Sequence, residues 1–332
     1  LAILPGVKHV GISLVTGGAG FIGSHLVERL VTSGHRVRVL DDFRTGLIGN
    51  LDGVLGNVDV IIGSITHTGT LQSAVRDCDA VFHLAALPSV RRSVEDPAAT
   101  HEVCATGTLS VLEAARRAGV RRVVYAASSS VYGGSVSGKS RESDLPSPLS
   151  RYAAAKFAGE LYCRAFTSTY GLDTIRLRFF NVFGPRQRSD SPYSGVIPLF
   201  VATMLEGKCP ILHGSGEQSR DFTYVSDAVR ALERAASAPA TSAGRVYNVG
   251  GGRTTTILAL VQHLEELLGT KTRPVFVPAR PGDVFRSEAD TARARMELGY
   301  EPEMTFPEGL RRTVEAIRDL RLDPDAARNR GA

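Results

Sequence analysis

Cysteine is sparse in this 332-residue chain, and its placement excludes two kinds of site. Cys78, Cys104, Cys163 and Cys209 lie far apart, with no Cys-x-x-Cys pair and no histidine at metal-ligand spacing. Neither a zinc site nor a disulfide framework is implied; reduced thiols and no metal are expected. Long apolar runs are also lacking: none approaches the ~18 residues that cross a bilayer, so no membrane span is expected. Residues 1–11 carry neither the charged start nor the small-residue cleavage site of a secretory signal, which gives a cytoplasmic expectation. A basic block is missing too. The formal net charge is +5, yet Lys and Arg are interleaved with acidic residues, and no nucleic-acid partner is expected.

The chain does have the balance of a folded protein, 43% hydrophobic and 22% charged, and enough length to bury a sizeable core. Short β-branched runs at 12–16, 37–40, 58–62, 80–84 and 123–126 alternate with helical stretches at 24–33, 69–77, 106–119 and 153–170, and 174–179 reads as a sixth strand. Such alternation specifies a parallel sheet with crossover helices, an α/β, doubly wound Rossmann fold. Past Asn181, Gly, Pro and Ser crowd 184–198 and 210–219, which read as loops; a further strand follows at 246–249 and a helix at 256–268. The expected organisation is a Rossmann domain over 1–180, to which the chain returns at about 221–252, and a smaller α/β substrate-binding lobe from 181–220 and 253–320. The polar, Arg-rich sequence from Arg318 onward gives a frayed tail, placed at 321–332.

Val15-Thr16-Gly17-Gly18-Ala19-Gly20-Phe21-Ile22-Gly23 ends the first strand and opens the first helix. Glycines there let the backbone bend sharply and admit a pyrophosphate against the main chain, and the helix N-terminus attracts the anion. In a chain with 34 glycines a Gly-rich run alone is a plain turn; its place between strand and helix points to a dinucleotide. Asp41, at the end of the second strand, is placed to accept hydrogen bonds from the adenosine ribose, and its charge repels a 2′-phosphate. NAD is therefore expected over NADP. A solvated strand-end turn is the alternative reading of Asp41-Asp42.

Tyr152 and Lys156 stand four apart at the start of a helix, on one face. A nearby ammonium favours the phenolate, so Lys156 is expected to bring Tyr152 toward general-base duty. Ser128-Ser129-Ser130-Val131-Tyr132-Gly133 closes the fifth strand, where ligands of open α/β sheets bind. Either motif alone is an ordinary helix edge or loop. Together they suggest a proton relay with Ser128, Tyr152 and Lys156 as catalytic residues.

Thr16 to Gly23, Asp41, His83-Leu84-Ala85-Ala86, Ser128 to Gly133, Tyr152 with Lys156, Arg178-Phe179-Phe180-Asn181 and Arg280-Pro281-Gly282-Asp283 resemble the extended short-chain dehydrogenase/reductases that modify nucleotide sugars. Within that family Ala85-Ala86-Leu87-Pro88-Ser89-Val90, Asp190-Ser191-Pro192-Tyr193 and Gly216-Glu217-Gln218-Ser219-Arg220-Asp221-Phe222 look most like UDP-glucose and UDP-N-acetylglucosamine 4-epimerases. The resemblance implies an NAD that stays bound, a 4-keto sugar that turns over, and a UDP-sugar substrate. It implies cofactor contacts at Gly17, Gly20, Phe21, Ile22, Asp41, Ser64, Ile65, Leu84, Ala85, Ala86, Tyr152 and Lys156, although Ser64 replaces a common Asp. Substrate contacts would come from Ser89, Ser129, Ser130, Asn181, Arg220, Arg280, Asp283 and Ser287. Ser287 falls where epimerases confined to non-acetylated sugars carry Tyr, so acceptance of N-acetylated sugars is expected as well. A homodimer is implied, with Leu109, Leu112, Leu161 and Phe166 as contacts. UDP-glucuronate 4-epimerase, nucleotide-sugar 4,6-dehydratase and a catalytically silent NAD-sensing regulator remain the alternatives. Against the dehydratase, Ser129 and Ser130 occupy the places of that enzyme's Asp-Glu pair.

Overall fold

The computed structural model describes residues 11–134, 138–189, 194–279 and 284–322. Its first half runs β1 (Ile12–Thr16), α1 (Phe21–Thr32), β2 (Arg36–Asp41), β3 (Val58–Ile62), α2 (Thr68–Ala74) and β4 (Cys78–His83). Next come α3 (Val90–Glu95) and α4 (Pro97–His101), which passes through a π turn at Glu102–Thr106 into α5 (Gly107–Arg117). β5 (Arg122–Ser128), α6 (Arg151–Tyr170) and β6 (Asp173–Phe179) follow. The second half holds β7 (Val182–Phe183), α7 (Val196–Leu205), β8 (Ile211–His213), β9 (Ser219–Asp221), β10 (Thr223–Tyr224) and α8 (Val225–Ser237). It ends with β11 (Val246–Val249), β12 (Thr254–Thr256), α9 (Ile257–Leu268), β13 (Val275–Val277), β14 (Arg286–Ser287), α10 (Ala292–Leu298) and α11 (Phe306–Leu322).

Seven strands form one parallel sheet in the order β11-β6-β5-β4-β1-β2-β3, so the doubly wound α/β fold expected from the alternation is the fold adopted. Successive side chains of a strand point to opposite faces, and the core divides accordingly. Leu14, Leu40, Val81 and Val123 pack under α2, α5 and α6, while Val15, Val39, Phe82 and Val124 pack under α1, α8 and α10. From β1 the chain winds outward to β2 and β3 on one side and to β4, β5 and β6 on the other. Strand order therefore reverses between β1 and β4, and the crevice beyond their carboxyl ends is where such sheets bind ligands. A third cluster, including Phe183, Phe200, Phe222, Tyr224, Leu260 and Leu310, fills the space among α7, α9 and α11. Phe222 and Phe306 stack there at 5.3 Å. No helix among the described residues is long and apolar enough to cross a membrane.

Three expectations need correction. Residues 184–198 and 210–219 are not uniformly loop, since α7 starts at Val196 and β8 occupies Ile211–His213, and α8 supplies a helix that the strand-and-loop expectation for this half lacks. α7 is buried on most sides and carries Pro198 in its first turn, so it shows no 3.6-residue contrast and looks like turn sequence. Of the proposed dimer contacts, Leu112 and Phe166 lie in the chain's own core against the sheet and Leu109 packs at its edge; Leu161 is half exposed. The polar tail does not fray at Arg318 or at Arg321: α11 continues to Leu322, anchored by buried Leu310, Val314 and Ile317. Arg321 pins its end, donating to the Ala202 carbonyl at 3.1 Å and pairing with Glu206 at 3.0 Å. Residues 323–332 of the expected tail lie outside the described residues.

Candidate active site

The glycine turn is built for close approach. Gly17 has φ +71°, and a Cβ there would stand 2.7 Å from the Ala85 nitrogen; at Gly23 it would stand 2.0 Å from the Gly17 carbonyl oxygen. Neither position accepts a side chain without moving backbone. Asn50 Nδ2 donates to the Ala19 carbonyl at 2.9 Å and braces the turn from across β2. Asp41 accepts from the backbone N–H groups of Ala19 at 3.0 Å and Phe43 at 2.9 Å. Burial raises its pKa and those two N–H groups oppose the rise. A carboxylate has about four acceptor positions, so two remain for ribose hydroxyls. Arg44 is held by Asp42 at 3.2 Å.

Beside the turn, buried His83 is fixed in one tautomer. The Thr108 hydroxyl donates to the Cys104 carbonyl at 2.7 Å, so at 3.0 Å it must accept from His83 Nε2–H. His83 Nδ1 then accepts from the Thr16 hydroxyl at 2.8 Å, and Thr16 Oγ1 in turn accepts from the Ala85 N–H at 3.3 Å. Burial, and secondarily the charge of Lys156, pushes His83 down to about 3, so the ring stays neutral. In the sequence His83 is only part of a motif, because its partners come from α5 and β1, 25 and 67 residues away.

Ser128 ends β5 and caps the 3-10 turn at Ser129–Tyr132; its hydroxyl accepts from the Ser130 N–H at 3.2 Å and lies 2.8 Å from the Ser130 hydroxyl. Ser150 caps α6, accepting from the Ala153 N–H at 3.1 Å, so the helix starts at Arg151 and Tyr152 falls in its first turn. Burial holds Tyr152 above the ordinary phenol value, with Cys104 adding to the rise and Ser128 opposing it. The expected lowering of Tyr152 by Lys156 is not what sets this phenol. The Lys156 ammonium lies 4.3 Å over the Tyr125 ring, and its own pKa is lowered by burial.

A cavity of about 960 Å³ joins these parts. Gly17, Gly20, Phe21, Ile22, Asp41, Ser64, Ile65, Leu84, Ala85 and Ala86 line its glycine-turn side. Ser128, Tyr152 and Lys156 line its middle, and Ser89, Ser129, Ser130, Asn181, Arg220 and Ser287 complete the wall. Arg280, Asp283 and the stretch 190–193 lie outside the described residues. The wall also includes Arg92, Gln187 and Arg188, which sequence reading passed over. Arg92 sits on α3, whose N-cap is Ser89; six residues without clear periodicity gave no helix signal.

The turn's exclusion of side chains, together with a carboxylate keeping free acceptor positions, fits a dinucleotide without a 2′-phosphate. The model of the NAD dependent epimerase/dehydratase family matches residues 13–250. The UDP-glucose 4-epimerase of Mycolicibacterium smegmatis is 40% identical over 314 residues, covering 92% of this chain and 98% of the relative. A solved structure of UDP-glucose 4-epimerase from Thermotoga maritima with UDP-glucose has a TM-score of 0.89 at 37% identity, covering 94% of this chain and 100% of that one. A mutant of UDP-glucuronic acid 4-epimerase from Bacillus cereus, in complex with UDP-4-deoxy-4-fluoro-glucuronic acid and NAD, gives 0.88 at 33% identity, with 93% and 99% covered. A match over most of the length, at these identities, means that this chain belongs to the NAD-dependent epimerase/dehydratase family, within the extended short-chain dehydrogenase/reductases.

Proposed function

We propose that this enzyme is a 4-epimerase of UDP-hexoses, acting on UDP-glucose and on N-acetylated UDP-hexoses. The observation that carries the reading is the meeting of Ser128, Tyr152 and Lys156 in the same cavity as the glycine turn and Asp41. NAD, held by the turn, Asp41 and Lys156, supplies a reversible two-electron acceptor for the hydrogen at sugar C4. Tyr152 takes the proton from O4 as the C4–O4 bond becomes a carbonyl, and returns it after the 4-keto sugar has presented its other face. The Ser128 hydroxyl, tied to Ser130, lies beside Tyr152 and bridges the phenol to O4. Lys156, one helical turn on, lines the same cavity and would hold the ribose on the nicotinamide side.

Arg220 and Asn181 on the cavity wall suit the pyrophosphate and ribose of the nucleotide, since a guanidinium fork matches phosphate oxygens; Arg280 and Asp283, outside the described residues, are assigned to the same nucleotide by resemblance alone. Ser287 pairs with Arg220 across β14 and β9 and lines the cavity, and its small side chain supports the acceptance of an acetamido group at C2. The two residues after Ser128 are hydroxyls, which lack the acid-base capacity a dehydration needs. The retained relay disfavours a silent NAD sensor. A homodimer through the exposed face of α6, where Leu161 and Tyr162 stand, keeps Leu161 of the contacts assigned from sequence and drops the core residues Leu112 and Phe166; sedimentation as a monomer at micromolar concentration would rule it out.

One observation favours a second reading. Arg92 and Arg188 line the same cavity as Ser129 and Ser130, a set of cations and hydroxyls that suits a carboxylate at C6, as in a UDP-uronic acid. The test is a panel of UDP-glucose, UDP-N-acetylglucosamine, UDP-glucuronate and dTDP-glucose, with products resolved by chromatography. The proposal expects 4-epimers of the first two. An epimer from UDP-glucuronate alone would establish the second reading, and a 4-keto-6-deoxy product would refute both.

A further inference from the structure

Asp221 is wholly buried and does not line the cavity, yet three of the wall residues depend on it. It ends β9, the central strand of the three-stranded sheet β12-β9-β14. Its Oδ1 accepts from the Gly251 N–H at 2.6 Å and its Oδ2 from the Ala289 N–H at 3.1 Å. One carboxylate thus ties β9 to the turn before β12 and to the segment after β14. Arg220, its neighbour, pairs in register with Ser287 on β14. The Asp221 backbone carbonyl accepts from Asn181 Nδ2 at 3.0 Å, and Asn181 holds a left-handed φ of +34°, a conformation that needs such support.

We infer that Asp221 is a positioning residue for the substrate wall: its carboxylate fixes the spacing of β9, β14 and the 250–252 turn, and so the placement of Asn181, Arg220 and Ser287. The inference rests on the reading of those three residues as nucleotide-sugar contacts. A neutral side chain of the same shape cannot replace it, because an amide offers one acceptor oxygen and turns a donor NH₂ toward one of the two N–H groups. Burial pushes Asp221 up to about 6, against the N–H groups of Ala289, Gly251 and Gly252, with Glu288 adding to the rise. The groups around it are Arg220 on its own strand, Glu288, which is held by Arg286 and Lys139, and the Tyr300 phenol, which donates to the Gly250 carbonyl. As pH falls through about 6 the carboxylate is protonated, its acceptor strength drops, and the wall loosens.

The experiment compares the unmodified enzyme with Asp221→Asn by calorimetric binding of UDP-glucose, whose diphosphate diester keeps its charge over the range, from pH 7.5 to 5. Thermal unfolding and the dinucleotide released on denaturation are measured alongside. In the unmodified enzyme, affinity should weaken below about pH 6. In Asp221→Asn it should be weaker by about tenfold or more at pH 7.5 and flat with pH, with bound dinucleotide unchanged. Should the variant fail to fold, the pH profile of the unmodified enzyme decides alone, and a flat profile overturns the role. Equal affinity and equal pH dependence in parent and variant also overturn it. No binding of UDP-glucose by the parent overturns the nucleotide-sugar reading and this role with it.

Discussion

Replacing Glu160 by Leu should destabilise the protein severely and weaken the site with it. Glu160 lies one turn beyond Lys156 on α6, with its side chain fully buried, and meets Arg178 of β6, whose side chain is 4% exposed. The pair is doubly bonded, Nε to Oε1 at 2.9 Å and Nη2 to Oε2 at 2.7 Å. The Arg178 guanidinium also sits 4.7 Å over Tyr132, whose hydroxyl donates to Asn248 Oδ1 at 2.7 Å. Helix, serine turn and sheet therefore meet at this pair. Removing one partner leaves a buried charge uncompensated, which costs about 3–5 kcal/mol; in a chain of this size that lowers Tm by roughly 4–7 °C. The double variant Glu160→Leu/Arg178→Met removes both charges and should recover most of the loss, because the desolvation cost of the pair offsets much of its attraction. Urea and thermal unfolding of the four proteins close the cycle. A loss under about 1 kcal/mol in the single variant, or a double variant no better than the single, would refute the reasoning.

Ser287→Tyr should cut kcat/KM for UDP-N-acetylglucosamine at least ~10-fold relative to UDP-glucose, because the ring overlaps the acetamido space; unchanged discrimination in steady-state assays removes Ser287 as the gate. Gly17→Val places carbon atoms against the Ala85 backbone and should abolish retained dinucleotide, read as absorbance released by acid, and normal NAD content would contradict the close-approach argument. His83 is pushed down to about 3, below its ordinary 6.5, so the unfolded chain binds the proton more readily. Its contribution to stability is therefore present above about pH 6.5 and lost as pH falls toward 3, and the stability gap between the parent and His83→Gln should narrow over that window by urea titration. A gap independent of pH would count against a neutral buried His83. Tyr152→Phe should lower turnover by roughly 10²- to 10⁴-fold while leaving NAD content intact; near-normal turnover would make the Tyr-Lys pair an ordinary helix edge.

The parts of the site that could be read in sequence are those fixed by short-range rules. β1, the glycine turn and α1 follow one another within a dozen residues, Asp41 ends the next strand, and Tyr152 and Lys156 share a face by spacing alone. Every site residue picked out this way that falls among the described residues lines one cavity. What escaped depends on distant partners. Asp221 matters because of Gly251, Ala289 and Asn181, which lie 30, 68 and 40 residues away. The π turn at Glu102–Thr106, which carries Cys104 beside Ala155 and Tyr152, has no spacing signature. α8 was legible in full, since Val225, Ala228, Val229, Leu232 and Ala235 recur at helical spacing with Arg230 and Arg234 on the opposite face; that omission has no physical cause.

The central claim is that C4 of a UDP-hexose is oxidised and reduced again in one site. UDP-glucose deuterated at C4, incubated with the purified enzyme in ordinary water and analysed by mass spectrometry and proton NMR, tests it directly. The account predicts UDP-galactose that keeps the deuterium at C4. Deuterium lost to water, or carried to a C6 methyl with loss of the C6 hydroxyl, would contradict it.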